Sequence, residues 1–334
     1  MRRFAGVEGG GTTWVCAISE GSPTNIVERA EFPTTTPAET LAAVAAWLAE
    51  HRFDALGIAT FGPVDLDPAS LTYGSITATP KPGWRDTPVV AALCKEIRVP
   101  FAFDTDVNAP ALAEHRAAAA EGLNSTAYVT IGTGVGLGLV VNGHPVHGLL
   151  HPEGGHISVP RRAGDSYAGY NSMLKCDGWY EVEAMCGSGA LAARAGLASA
   201  KELGGLPDDH EVWDLCAHYL AAMCANLVLT ASPERIVLSG GVMQRRSLFP
   251  RIRAKTVAML NGYIPAVDAA MIDGYIVPSR WGNDAGIVGA LTLAVDALER
   301  SAPAPKPARP SRFAALLLTV FAAGCVAGFA VRRA

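Results

Sequence analysis

Short apolar runs alternate, in the first third of the chain, with stretches whose apolar residues recur every three or four positions. The short runs predict β-strands, and the recurring pattern predicts amphipathic helices. The clearest helix start is Thr36-Pro37-Ala38-Glu39, with a Thr cap, an early Pro and an acidic first turn. We predict strands at 4–8, 14–18, 26–32, 56–60 and 101–104, and helices at 40–51, 89–97 and 107–120. Together these elements predict a mixed sheet covered by helices.

The same pattern starts again near residue 127. Two predicted strands, 127–131 and 136–141, enclose the turn Gly132-Thr133-Gly134, as two strands enclose a Gly/Thr turn at residues 7–14. Two such hairpins, each opening one half of the chain, predict a duplicated architecture with both turns facing one cleft. We therefore expect an N-terminal lobe at 1–122 and a C-terminal lobe at 123–300. Further elements are predicted at 212–230, 235–238, 248–260 and 283–298.

The end of the chain has a different composition. Residues 301–311 are rich in proline and alanine, which predicts a stiff linker. Residues 313–331 carry no charge and rise about 28 Å as a helix, enough to cross a hydrocarbon core. We expect 312–334 to be a C-terminal membrane anchor with one transmembrane helix. The alternative, a buried terminal helix, is disfavoured because the linker detaches this segment and no polar face would meet solvent.

Composition and charge narrow the classes of function. The 334 residues can form two lobes with a cleft, since single cores rarely grow beyond about 250 residues. The net charge is −4, and Lys and Arg are scattered along the sequence. The sequence therefore predicts no basic patch that would bind nucleic acid. Seven cysteines without a Cys-x-x-Cys pair, and no signal peptide, predict free thiols in a reducing, cytosol-like compartment.

Three glycine-rich turns are candidates for phosphate binding. In Glu8-Gly9-Gly10-Gly11-Thr12-Thr13, backbone N–H groups can approach an anion, the hydroxyls add donors, and Glu8 can hold a hydrated Mg²⁺ indirectly. A plain glycine turn is the alternative. The other two turns contain Gly132, Thr133 and Gly134, and Gly240 and Gly241. Three such turns at strand ends would enclose ATP between two lobes, although the chain has neither a P-loop nor a dinucleotide fingerprint.

Asp106 is the candidate catalytic base. It follows the apolar strand 101–104, at the kind of strand end where active-site residues of α/β folds gather. A carboxylate there can accept the proton of a sugar hydroxyl that attacks a γ-phosphate. The alternative is that Asp106 caps the following helix.

Candidate sugar ligands follow in the second half. Glu153 and His156 bracket two glycines, which suits a grip on vicinal hydroxyls, and Glu183 precedes another glycine pair. A structural histidine and a solvated helix carboxylate are the respective alternatives.

The order of these motifs resembles the ROK family of sugar kinases, whose superfamily also holds hexokinase, actin and the heat-shock chaperones. The resemblance covers about residues 4–298 and is carried by five motifs: 8–13, 104–108, 131–136, 153–156 and 239–242. Residues 60–65, 73–84 and 151–156 are most similar to the bacterial fructokinase branch. The resemblance implies a duplicated, two-lobed actin/hexokinase-like (ribonuclease H-like) α/β fold with the nucleotide in the interlobe cleft.

The resemblance also implies an activity and a set of site residues. It implies transfer of the γ-phosphate of ATP, with Mg²⁺, to the 6-hydroxyl of fructose. Asp106 would be the general base, and the glycine turns would hold ATP. Thr105, Asn108, Glu153, His156 and Glu183 would hold the sugar.

One departure from the family concerns zinc. The family follows its Gly-His with a Cys- and His-rich loop that binds a structural zinc ion with that histidine. Here residues 170–181 keep Cys176 but no histidine, so His156 and Cys176 lack the partners of a tetrahedral site. We expect no zinc.

Three other functions stay open at this point. Related kinases act on glucose, mannose or N-acetylmannosamine. A membrane-tethered, catalytically weak sugar-binding protein is disfavoured by retention of Glu8, Asp106 and all three turns. A sugar-sensing regulator is disfavoured because no DNA-binding helix-turn-helix fits before Phe4. A homodimer is compatible with each of these functions.

Overall fold

The computed structural model describes residues 1–174 and 179–301. The first half contains β1 (Arg3–Gly9), β2 (Thr13–Glu20), β3 (Ile26–Pro33), α1 (Pro37–Ala49), β4 (Ala55–Thr60), α2 (Val89–Leu93), β5 (Phe101–Thr105) and α3 (Asn108–Ala119). The second half contains β6 (Ser125–Ile131), β7 (Val135–Val141), β8 (His144–Pro145), β9 (Ser158–Pro160), β10 (Trp179–Glu181), α4 (Val182–Cys186), α5 (Ser188–Arg194), α6 (Glu211–Thr230), β11 (Ile236–Ser239), α7 (Leu248–Leu260), α8 (Ile272–Tyr275), β12 (Ile276–Pro278) and α9 (Ala285–Ser301).

The predicted strands and most predicted helices are confirmed. Thr36 caps α1 as expected, because its hydroxyl accepts a hydrogen bond from the Glu39 N–H. The helix predicted at 89–97 is wrong in length, since α2 ends at Leu93. The chain turns after Cys94, where the Ile97 N–H donates to the Cys94 carbonyl. Pro100 then restricts the residue before it to an extended conformation, and β5 begins.

Both halves form a five-stranded sheet with the same topology. The strand orders are β3-β2-β1-β4-β5 and β8-β7-β6-β11-β12. In each sheet an antiparallel hairpin pairs along its first strand with a parallel strand that follows later in the chain. The predicted duplication is therefore confirmed at the level of the sheets.

Helices α3 and α9 belong to a core that both sheets share. This core joins Ala55 and Ala102 of the first sheet to Tyr128 and Val237 of the second, with Leu291 of α9 among them. Glycines allow the backbones to approach closely. A Cβ added at Gly57 of β4 would lie 1.8 Å from the Ala290 carbonyl oxygen of α9. Because α3 and α9 pack on a core that both halves share, this core does not mark a boundary between two lobes. The boundary between residues 122 and 123 stays a prediction.

Each sheet also has an apolar core of its own on the opposite face. In the second half this core is built around α6, which includes Trp213, Tyr219 and Leu220. By length and composition α6 could cross a membrane, with a mean hydropathy of 1.4 over an 18-residue window, but 67% of that window is buried inside the protein. Such burial is typical of a core helix. Of the linker predicted at 301–311, only Ser301 is described, as the last residue of α9, and the anchor predicted at 312–334 lies outside the described residues.

Substitution of Gly57 tests the shared core. Gly57→Ala places a methyl group against the backbone of α9, which cannot rotate away as a side chain can. We expect the free energy of unfolding to fall by about 3 kcal/mol or more, measured by denaturant titration. Gly274→Ala is the control, because a Cβ there meets nothing within 4 Å. Equal stability of the two variants would contradict the close packing of β4 on α9.

Candidate functional site

The carboxyl ends of β1, β4 and β5 lie side by side at one edge of the first sheet. The strand register aligns Gly9 with Thr60, and Thr60 with Thr105. Backbone hydrogen bonds continue past the strands, from the Phe61 N–H to the Gly9 carbonyl and from the Asp106 N–H to the Thr60 carbonyl, each 2.9 Å long. The first glycine turn, the loop after β4 and Asp106 therefore meet at this edge, where ligands of α/β sheets bind.

Asp106 does not cap α3. The N-cap residue of α3 is Val107, whose side chain makes no capping hydrogen bond. The Asn108 N–H donates instead to the Thr105 hydroxyl at 2.9 Å. The Asp106 carboxylate thus has no role at the helix start and faces the cleft. Burial, with the charge of Glu153 nearby, raises the pKa of Asp106 to about 7.

Glu8 is a second, half-buried carboxylate in this region. Burial and the nearby Asp106 raise the pKa of Glu8 to about 7, opposed by the charge of Arg29. A Cβ on Gly286 in the first turn of α9 would lie 1.9 Å from Glu8 Oε1, so the carboxylate packs directly against that backbone. A divalent cation beside bound phosphates would favour the charged forms of both acids. The indirect contact of Glu8 to Mg²⁺ stays a prediction.

A cavity of about 320 Å³ lies beside Asp106. Four other predicted sugar ligands line it: Thr105, Glu153, His156 and Glu183. Gly62, Pro63, Ala78 and Pro80 form its wall on the side of the first sheet. Three carboxylates around one small cavity suit a neutral molecule rich in hydroxyl groups, because each ionised carboxylate is an acceptor of several hydrogen bonds.

Asn108 is the predicted sugar ligand that the structure does not bring to this cavity. Its side chain is fully buried, and its amide nitrogen donates to Asp104 Oδ1 at 2.8 Å. Its place among the sugar ligands was implied by the resemblance to the family. The first turn of α3 instead directs Asn108 back toward β5.

Glu183 links the cavity to the second glycine turn. Its Oε2 accepts the Val135 N–H at 2.8 Å, and a Cβ on Gly134 would lie 2.5 Å from the same oxygen. The alternative, a solvated helix carboxylate, does not describe this arrangement. Glu183 lines the sugar-sized cavity and also fixes the turn that follows β6.

His156 is held by a residue that the sequence analysis did not select. Its Nδ1 lies 2.6 Å from Oε2 of Glu181, which is only 2% exposed. The other carboxylate oxygen of Glu181 accepts hydrogen bonds from the Ser172 hydroxyl and the Leu174 N–H. These bonds lower the pKa of Glu181 against the raising effect of its burial. The Nε2 of His156 lies 4.0 Å from Glu153, on the cavity side of the ring.

Cys176, the cysteine of the expected zinc-free loop, lies outside the described residues. Within residues 1–174 and 179–301, no group of three or more His, Cys, Asp or Glu could hold a metal ion. Cys186 is no substitute ligand, because it is buried and its thiol donates to the Val182 carbonyl. The Nδ1 of His156 is already occupied by Glu181. The described residues therefore do not fit a structural zinc site.

Two histidines four residues apart attach the loop before Glu153 to the first half of the chain. His147 Nε2 lies 2.9 Å from Asp104 Oδ2, and this hydrogen bond raises the pKa of His147. His151 Nε2 accepts the Val64 N–H at 3.1 Å, and burial lowers the pKa of His151. Because Nε2 of His151 accepts, the proton of its neutral ring lies on Nδ1, which is 3.5 Å from Glu153 Oε1. Both histidines thereby hold the segment that leads to Glu153 against the first half of the chain.

A larger cavity, of about 820 Å³, lies at the second sheet. Of the predicted nucleotide ligands, Gly132, Thr133 and Gly241 line it. The second and third turns are in contact, since Gly240 has a φ of +91° and a Cβ on it would lie 2.4 Å from the Ile131 carbonyl oxygen. This volume falls in the range of cofactor pockets. The sequence analysis missed the polar side chains of its wall, which are Ser188, Lys201, Asp208, Gln244, Arg245, Arg246 and Ser247.

The first glycine turn lines neither cavity, and its residues differ in what they do. Gly9 is required for packing, because a Cβ there would lie 2.7 Å from both Thr60 and Trp14. Gly10 closes the turn through its N–H, which donates to the Thr13 carbonyl at 3.0 Å. Gly11 faces open space, since an added Cβ meets nothing within 4 Å. The carbonyl of Thr12 accepts a hydrogen bond from the Thr34 N–H, outside the turn.

Comparison with known proteins places this geometry in a family. Residues 4–297 match the model of the ROK family. The chain is 38% identical over 298 residues to a fructokinase of Pediococcus pentosaceus, covering 88% of this chain and 98% of that protein. It is also 38% identical over 299 residues to a fructokinase of Zymomonas mobilis subsp. mobilis, covering 87% and 96%.

Solved structures agree with these relatives. A ROK hexokinase from Thermus thermophilus superimposes with a TM-score of 0.69 at 25% identity, over 90% of this chain and all of that one. The shared fold is the two-lobed α/β fold of actin and hexokinase. Since the family match spans nearly all of the described residues and the relatives are covered almost end to end, this chain belongs to the ROK family of sugar kinases.

Proposed function

We propose that this protein is an ATP-dependent fructokinase that phosphorylates the 6-hydroxyl of fructose. The observation that carries the proposal is the cavity beside Asp106, in which a carboxyl of raised pKa meets Glu153, Glu183 and His156. The fructokinases at 38% identity support fructose as the substrate. The 820 Å³ cavity, with its glycine turns and basic side chains, is the proposed site of ATP.

The proposed reaction is a direct transfer between the two substrates. The 6-hydroxyl oxygen of fructose attacks the γ-phosphorus, a new O–P bond forms, and the P–O bond to ADP breaks. Asp106 accepts the hydroxyl proton as the bond forms. At neutral pH, a base with a pKa near 7 is ionised in a large fraction of the enzyme molecules, and it still accepts a proton readily. Mg²⁺ bound with the nucleotide, near Glu8, would neutralise phosphate charge.

A substrate panel tests the proposal against its neighbours in the family. Purified protein is assayed for ADP release with fructose, glucose, mannose and N-acetylmannosamine, with and without Mg²⁺. We expect fructose to have the largest kcat/KM. A preference for another hexose would reassign the substrate, and no turnover with any of them would overturn the kinase proposal.

Replacement of Asp106 tests its role as the base. We expect Asp106→Asn to lower kcat by a factor of about 10² to 10⁴ with little change in ATP affinity. In the wild-type enzyme, kcat/KM should fall as the pH drops below about 7, because the base becomes protonated. Since Glu8 titrates in the same range and the two acids interact, the acid limb belongs to the pair.

The matched control is Asp273→Asn, which removes an exposed carboxylate that pairs with Arg253 at 2.9 Å. This control should keep wild-type turnover and the wild-type pH profile. An Asp106→Asn enzyme as active as the control would remove Asp106 from the chemistry.

We also propose that the loop at His156 is held without zinc, by the hydrogen bonds of Glu181. Metal analysis of dialysed protein should find well under one zinc per chain, and the melting temperature should not change with 1,10-phenanthroline. Glu181→Ala should raise the KM for fructose, because His156 loses the partner of its Nδ1. Stoichiometric zinc whose removal lowers the melting temperature would contradict this proposal.

The apolar segment 313–331 is proposed as a membrane anchor that leaves the kinase body in the cytosol. The support comes from sequence: no charge for nineteen residues, flanking arginines and a proline-rich linker before it. The family match ends at residue 297, before this segment.

Deletion of residues 311–334 tests the anchor. We expect full-length protein in the carbonate-resistant membrane pellet and the truncated protein in the supernatant, with equal rates of sugar phosphorylation. Full-length protein that carbonate releases, or a truncated protein that misfolds, would show that 313–331 is not an anchor.

A further inference from the structure

The loop between Thr77 and Thr87 connects the sugar-sized cavity to the first glycine turn. Its residues Ala78 and Pro80 line the cavity. The next residue, Lys81, extends to the turn, where its Nζ donates to the Gly11 carbonyl oxygen. Lys81 therefore places a positive charge between the wall of the sugar pocket and a turn with exposed backbone.

Hydrogen bonds and packing fix the backbone that carries Lys81. The Thr77 N–H donates to the Pro63 carbonyl at 2.7 Å, and the Lys81 N–H donates to the Thr79 hydroxyl at 3.3 Å. Farther along, the indole of Trp84 donates to the Thr35 carbonyl at 2.9 Å and stacks on Trp14 with centroids 5.5 Å apart. The Lys81 ammonium is therefore held at the glycine turn by a loop whose backbone is fixed on both sides of Lys81.

The charge of Lys81 is not matched by a carboxylate. Within the described residues, no ion pair includes Lys81. Its partner is the neutral carbonyl of Gly11. Gly11 faces open space, since a Cβ added to it would meet no atom within 4 Å. An ammonium gains by exchanging a neutral carbonyl for an anionic phosphate oxygen, because the attraction between opposite charges is added to the hydrogen bond.

We propose that Lys81 is a catalytic residue that binds the transferring phosphoryl group. The inference rests on the proposed kinase function. During transfer, the Lys81 ammonium donates to a non-bridging oxygen of the γ-phosphoryl group and keeps its own protons. The sugar oxygen bonds to phosphorus, its proton passes to Asp106, and ADP leaves with the electrons of the broken P–O bond. Charge on the phosphoryl oxygens is then stabilised from the side of the sugar pocket.

The test compares Lys81→Met and Lys81→Arg with Lys95→Met, which removes an exposed lysine beyond α2. We expect Lys81→Met to lower kcat by about 10² to 10³, while the Kd of ADP, which lacks the γ-phosphate, changes less than about twofold. Lys81→Arg should recover part of kcat because it restores the charge. Lys95→Met should keep wild-type kcat.

Two results would overturn the role of Lys81. One is a Lys81→Met enzyme whose kcat stays within about threefold of the control. The other is a joint loss of ADP binding and melting temperature, which would mean that the ammonium only holds the Gly11 turn. The wild-type enzyme separates this proposal from the function itself: if it phosphorylates no hexose, the kinase proposal fails, whereas turnover of a hexose other than fructose leaves the test of Lys81 intact on that sugar.

Discussion

The contact of helices α3 and α9 with both sheets is the constraint on which the site depends. It requires glycine wherever backbones meet: a Cβ on Gly57 would lie 1.8 Å from a carbonyl oxygen of α9, and one on Gly138 of β7 would lie 2.1 Å from the Val107 carbonyl oxygen. Gly289 of α9 approaches the start of α3 in the same way. Because this central core is so close-packed, the edges of two sheets that are far apart in sequence face one cleft.

The electrostatics of the site follow from that packing. Glu8, near the end of β1, packs against the first turn of α9, and Asp106 follows β5 at the start of α3, so both carboxyls lie half-buried where these elements converge. Burial raises the pKa of each to about 7, together with the charge of Asp106 at Glu8 and the charge of Glu153 at Asp106. A carboxylate at the surface would be fully ionised at neutral pH and a weak base. The fold thus gives the carboxyl of Asp106 a pKa near neutrality, so that it can act as a base where no histidine is present.

The second half of the chain supplies the other side of the cavity through loops that hydrogen bonds hold in place. His147 and His151 connect the segment before Glu153 to Asp104 and Val64 of the first half. On the far side, Glu181 orients His156 while it accepts bonds from Ser172 and Leu174. A buried carboxylate with several donors is a stable partner for a histidine. The proposed sugar ligands are therefore positioned by residues that themselves lie at or behind the cavity wall.

The sequence by itself determined the strands, the main helices, the repeated hairpin and the family, because periodicity and glycine turns are local patterns. It also placed Asp106 and Glu153 at strand and loop ends where ligands gather. It could not decide whether Asp106 caps α3, whether Asn108 reaches the sugar pocket, or which residue holds His156. The first two answers come from the hydrogen bonds of Asn108 to Thr105 and Asp104, and the third comes from the contact of His156 with Glu181, 25 positions later. Only the tertiary structure decided them, because the packing of the sheets on α3 and α9 fixes which distant side chains meet.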